Sequence, residues 1–178
     1  MKLPAEFRWL SDEDGPRILK EMMALYGTIE TPGPGNNPLI LKWATSIGYG
    51  NVYRQDAIPW CGLAIAYAAQ QAGWDIPTNP LWARNWLKWG YPTAPAMLGD
   101  VLVFKRGSAG HVAIYVGEDK NNFFILGGNQ SDAVNIKSKS KKDLLGSRRC
   151  PWRISEPPNV RQVFLNGYRS DNTNTKEY

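Results

Sequence analysis

The stretch Gly110-His111-Val112-Ala113-Ile114-Tyr115-Val116-Gly117 decides the fold of this chain. Its side chains alternate with the period of two that a β-strand imposes. Val112, Ile114 and Val116 therefore share one face, and His111, Ala113 and Tyr115 share the other. His111 is the only histidine among the 178 residues. At the head of such a strand it need not lie in the main hydrophobic layer, and it is expected to face a helix packed on the sheet.

The same period recurs on either side. Asp100 to Phe104, Phe123 to Leu126 and Ala133 to Ile136 are predicted strands, with a final one through Arg148 to Ile154. Before Gly99 the pattern changes. Ser11-Asp12-Glu13-Asp14-Gly15-Pro16 has the acids and proline of a helix start, with capping by the acids, and a helix should follow through Ile18, Met22 and Leu25 to Gly27. Further helices are expected over 39–47, 60–72 and 81–89, with a Pro/Gly/Asn loop over 31–38. Helices first and an antiparallel sheet second predict an α+β fold, N-terminal helices packed on a small antiparallel β-sheet.

Composition narrows the function classes. The length suits one domain, and 43% hydrophobic with 21% charged residues is ordinary for a soluble globular protein. Two cysteines do not make a disulfide framework. With one histidine they are too few to build a zinc site without carboxylates, so neither metal nor cofactor is expected. A net charge of +5 favours polyanionic partners. Lys137, Lys139, Lys141 and Lys142 read as a solvated strand end rather than a basic stripe with exposed aromatics, so no nucleic-acid partner is expected. The first ten residues have no continuous apolar run, and no stretch of membrane-spanning length occurs. The expectation is a monomer made in the cytoplasm without a signal peptide, with no stable membrane insertion.

The chemistry starts at Pro59-Trp60-Cys61-Gly62, fifty residues before the histidine. A cysteine attacks as its thiolate, and a place in the first turn of a helix lowers its pKa. Cys61 has that place if the helix begins near residue 60, and His111 would then serve as its general base. A third group should orient the imidazole. Asn129, in Gly127-Gly128-Asn129-Gln130, is the first choice, with Gln130 or Asp132 as alternatives. The Cys61 backbone N–H is a natural oxyanion donor, and the Gln55 side chain is a second candidate. Asp56 is expected to cap the helix or anchor the preceding loop. Trp82, Trp86 and Trp89 recur at helical spacing and suit one buried face. Trp60, Trp86 and Gln130 are the candidates for a substrate groove.

In this order, the segments 56–61, 99–101, 110–112 and 127–130 resemble the CHAP and NlpC-type papain-like peptidoglycan hydrolases, in their compact single-domain form. The likeness spans roughly residues 3–151. It implies a papain-like hydrolase domain over 1–153 and a C-terminal extension with a polar tail over 154–178. It implies a triad of Cys61, His111 and Asn129 that cleaves an amide of the stem peptide or crossbridge through a thioester. Peptidoglycan is then the partner, met after release from the cell as in phage endolysins, with Arg148, Arg149, Arg153 and Arg161 supplying attraction to the wall. Cys150 stands where the family has an aromatic residue. An antibacterial amidase toxin and a non-catalytic wall-binding module with the same fold are the alternatives.

Overall fold

The computed structural model describes residues 2–152 and 155–165. It is a mixed α+β structure, with helices first and sheet second. A 3-10 segment over Ala5–Asp12 leads to α1 (Arg17–Ala24), α2 (Pro38–Ser46) and α3 (Cys61–Gln71), and a second 3-10 segment covers Ala83–Lys88. The strands are β1 (Tyr91–Pro92), β2 (Val101–Phe104), β3 (His111–Glu118), β4 (Asn122–Gly127), β5 (Asn135–Ser140) and β6 (Leu144–Arg149). They form one sheet in the order β1-β6-β2-β3-β4-β5, with every neighbour antiparallel.

The alternation expected for β3 is present, and it sorts the sheet into two layers. Val112, Ile114 and Val116 join Val101, Val103, Phe124 and Leu126 in the main core, which α3 covers with Leu63, Ala64 and Ile65. Ala113 and Tyr115 join Leu102, Phe104, Phe123 and Ile125 in a smaller cluster on the opposite face. The helix therefore sits on the Val112 face, not on the face that His111 parity would select.

Several elements differ from the sequence reading, each for a physical reason. Asp12 and Asp14 do not cap α1. Pro16 holds the cap position without a side-chain bond, and its carbonyl accepts the N–H groups of Leu19 and Lys20. The helix expected over 81–89 is a short 3-10 segment. Trp86 and Trp89 bury there by donating Nε1 to the loop carbonyls of Pro80 and Asp75, whereas Trp82 is 57% exposed. β5 begins two residues late because Val134 is drawn into the core and exchanges backbone bonds with Gly27 and Thr28. β6 lies earlier than expected, closed by Arg149. That guanidinium forms a two-pronged pair with the buried Asp100 carboxylate, Nε–Oδ1 2.8 Å and Nη2–Oδ2 2.9 Å. Arg153 and Ile154 of the expected last strand lie outside the described residues, as does the polar tail over 170–178.

The described part of the C-terminal extension returns to the domain. Leu98 N–H donates to the Arg161 carbonyl, Glu118 N–H to Val163, and Leu165 N–H to Glu118. The Tyr115 hydroxyl donates to Glu118 and accepts the Val163 N–H. Among the described residues no helix is long and apolar enough to cross a membrane.

Small residues seat α3. A Cβ on Gly62 would lie 2.4 Å from the Pro80 carbonyl oxygen and 2.6 Å from that of Leu81. One on Gly128 would lie 2.7 Å from Ala64 Cβ and 2.8 Å from the Trp60 ring. Gly→Ala in an open helix gains up to about 1 kcal/mol. At Gly62 the obstructing atoms are backbone, so we expect Gly62→Ala to lose about 1–3 kcal/mol instead. Urea denaturation followed by tryptophan fluorescence reads the sign.

Candidate active site

Cys61 opens α3 and is buried. β3 pairs with β4 only from Ile114 onward. The N–H of Val112 lies ahead of that ladder and is directed at the Cys61 sulfur, as are the N–H groups of Gly62 and of Cys61 itself. The thiol thus lies against the first residues of β3, next in sequence to His111.

His111 is buried, and its Nε2 lies 3.1 Å from Gln130 Oε1. Asn129 was the expected partner, and the structure gives that place to its neighbour. Gln130 Nε2 is committed to carbonyl oxygens, at 2.7 Å from Asn135 O and 3.4 Å from Ile125 O. Carbonyls only accept, so the amide is oriented with Oε1 toward the histidine. His111 then carries its proton on Nε2, and Nδ1 keeps a lone pair. Among the described residues the buried Nδ1 has no hydrogen-bond partner. A buried acceptor left without a partner costs stability.

The loop that presents Gln130 is strained. Asn129, Ser131 and Asp132 all have positive φ, between 50° and 57°. Three non-glycine residues in the left-handed region within four positions are unusual, and such strain concentrates at functional sites. This conformation turns the Gln130 side chain inward and leaves Asn129 on the wall of a cavity.

That cavity, about 1020 Å³, is lined by Cys61, by the turn from Arg106 to Gly110, by Glu30 and Asp132, and by Ile58 and Trp82. Of the expected groove residues, Trp60 and Trp86 are fully buried and do not line it. Trp60 packs against Trp43 and donates its indole N–H to Glu30 Oε2 at 3.0 Å. The exposed member of the tryptophan series, Trp82, lines the wall instead. Gln55 is exposed and does not line the cavity, so the Cys61 N–H remains the oxyanion donor on offer. Asp56 anchors the loop rather than capping α3: its Oδ2 accepts the N–H groups of Thr31 and Asn37 at 2.9 and 2.6 Å. Cys150 is buried away from the cavity, and burial pushes its thiol up to about 12. Arg149 and Arg161 are held by acids, Asp100 and Glu13, rather than spread over a basic surface. Among the described residues, no group of three or more His, Cys, Asp or Glu is placed to hold a metal ion.

Sequence reasoning passed over Arg106. The turn that precedes a histidine at a strand head must border the same space, and that was the available signal. Burial raises the Cys61 thiol above its ordinary value despite the helix start, with the Arg106 charge and the surrounding N–H groups opposing. Burial pulls His111 down to about 3, and Arg106 adds to the fall while the Gln130 bond resists it. Both groups are neutral at rest: a buried thiol whose sulfur faces the Val112 N–H, and the buried imidazole of His111, the residue before it.

The His111 shift has a stability consequence. Above pH 6.5 the imidazole is neutral folded or unfolded, and its full contribution is present. Between 6.5 and 3 the unfolded chain takes up a proton that the folded chain refuses, so stability falls as pH falls. The loss approaches about 5 kcal/mol across the window. His111→Gln should remove that part of the slope, measured as urea unfolding free energy against pH for both proteins. Equal slopes would show that His111 titrates normally. No family model and no curated protein matches the chain.

Proposed function

We propose that the protein is a papain-like cysteine amidohydrolase acting on peptidoglycan, an endolysin-like enzyme that cuts an amide of the stem peptide or crossbridge. The observation that carries the reading is the arrangement at the head of β3. A helix-start cysteine lies against the N–H of Val112, the residue that follows a histidine whose Nε2 is held by Gln130 and whose buried Nδ1 has no hydrogen-bond partner among the described residues.

In this reading Cys61 Sγ attacks the amide carbonyl while His111 Nδ1 takes the thiol proton. The oxyanion draws on the Cys61 N–H at the start of α3. Collapse of the tetrahedral adduct breaks the C–N bond, and the amine leaves with the proton from His111. A thioester remains. Water then attacks it, with His111 Nδ1 as base, and the acid and the thiol are released. Gln130 holds the ring and its tautomer throughout. The peptide substrate rests on the order of motifs shared with the peptidoglycan hydrolases and on the cavity of about 1020 Å³ that Cys61 lines.

The test uses purified peptidoglycan, with release of new amino groups followed and the products identified by mass spectrometry. Cys61→Ala should abolish release while leaving the unfolding midpoint in place, and Cys150→Ser should retain activity. The reverse order would move the nucleophile to Cys150. Gln130→Ala should lower kcat by about 10- to 100-fold, and Asn129→Ala by less than about 3-fold, because only the former frees the imidazole. Equal losses would return the orienting role to the pair of residues jointly.

A further inference from the structure

The cavity beside Cys61 is electrically polarised. Arg106 stands on the wall that leads into His111, and Glu30 and Asp132 stand on the wall formed by the 28–30 and 132–134 segments. The Arg106 turn is pinned at both ends. Gly110 N–H donates to the Arg106 carbonyl at 2.9 Å, and Arg84 Nη2 donates to the Gly107 carbonyl at 3.1 Å. Gly110 has φ +85°, and a Cβ there would press on the Phe104 carbonyl and the Arg84 side chain. The guanidinium is therefore carried by a built turn, in the same cavity as the reactive sulfur.

Its charge is poorly suited to helping the proton transfer. It favours the thiolate of Cys61 but disfavours the imidazolium of His111, so the two effects oppose each other when the proton moves between them. A substrate anion meets no such cancellation. We infer that Arg106 is a specificity residue that binds a carboxylate of the substrate close to the scissile amide, and that the enzyme selects acidic peptides. This rests on the thiol-hydrolase reading of the same cavity and adds the class of peptide it takes. A guanidinium offers paired N–H donors to a carboxylate, a charge-assisted contact that a neutral carboxamide does not reproduce.

The test is a matched pair of short peptide amides, identical except that a residue next to the scissile bond carries a carboxylate in one and the isosteric carboxamide in the other. Wild-type protein should favour the carboxylate by about 10-fold or more in kcat/KM, mostly through KM, and added salt should erode the preference. Arg106→Gln should lose the preference and cleave the two alike. Arg106→Glu should prefer a lysine-bearing analogue over the carboxylate. A wild-type enzyme that cleaves both peptides equally overturns the inference and leaves the hydrolase reading standing. So does an Arg106→Gln enzyme that keeps the preference. A loss of kcat on the carboxamide as deep as on the carboxylate would make Arg106 part of the proton-transfer machinery, and the specificity role would fall. Cleavage of neither peptide, with peptidoglycan also untouched, overturns both.

Discussion

The close approach of α3 to the strand ends is the constraint on which the site depends. Gly62 lets the first turn slide under the carbonyls of Pro80 and Leu81, and Gly128 lets the loop after β4 pass against Ala64 and Trp60. Without those two missing side chains the helix start would stand away from β3, and the Val112 N–H would not reach the Cys61 sulfur. At Gly62 the contacts are with backbone atoms, so the cost of widening the gap there falls on the chain path itself.

Burial then sets the electrical character of the pair. A helix start favours a thiolate, but its effect is worth at most about 2 kcal/mol and fades within a turn, whereas desolvation acts on the whole charge. The outcome is a neutral thiol and a neutral imidazole, so a reaction on this pair would need the proton to move at the moment of attack. Gln130 makes that proton path specific. Because its nitrogen is spent on Asn135 and Ile125, its oxygen is left for His111 Nε2, and the lone pair is left on Nδ1. The strain at Asn129, Ser131 and Asp132 is the cost of delivering that amide from the end of β4.

Polar groups also close the fold at its edges. Arg149 and Asp100 tie the end of β6 to the start of β2 in a buried, two-pronged pair. Removing one partner of such a pair strands the other charge, at about 3–5 kcal/mol. Residues 155–165 are held by the Tyr115–Glu118–Val163 bonds and by Arg161 on Glu13. Two of the arginines that the sequence offered to a polyanionic partner, Arg149 and Arg161, are in this way paired with acids.

Local pattern made much of this legible. The alternation in residues 111–116, the alanine-rich run after Cys61 and the Gly-Gly-Asn-Gln strand end located β3, α3 and the loop that carries Gln130, because strand and helix periods are local properties of the chain. The polar edge strand β5, Asn135–Ser140, was legible only at its start, because beyond Ile136 its residues are polar and half-buried and carry no apolar alternation. Tertiary structure alone decided which face of the sheet the helix covers, which of two adjacent amides meets the histidine, and which tryptophan borders the cavity. Two glycines and three left-handed residues break the strand count between Gly127 and Asp132, so parity carries no information there. The contacts of the sulfur with the Val112 N–H and of the imidazole with the Gln130 amide join α3, β3 and the loop after β4, and these exist only once the chain has folded.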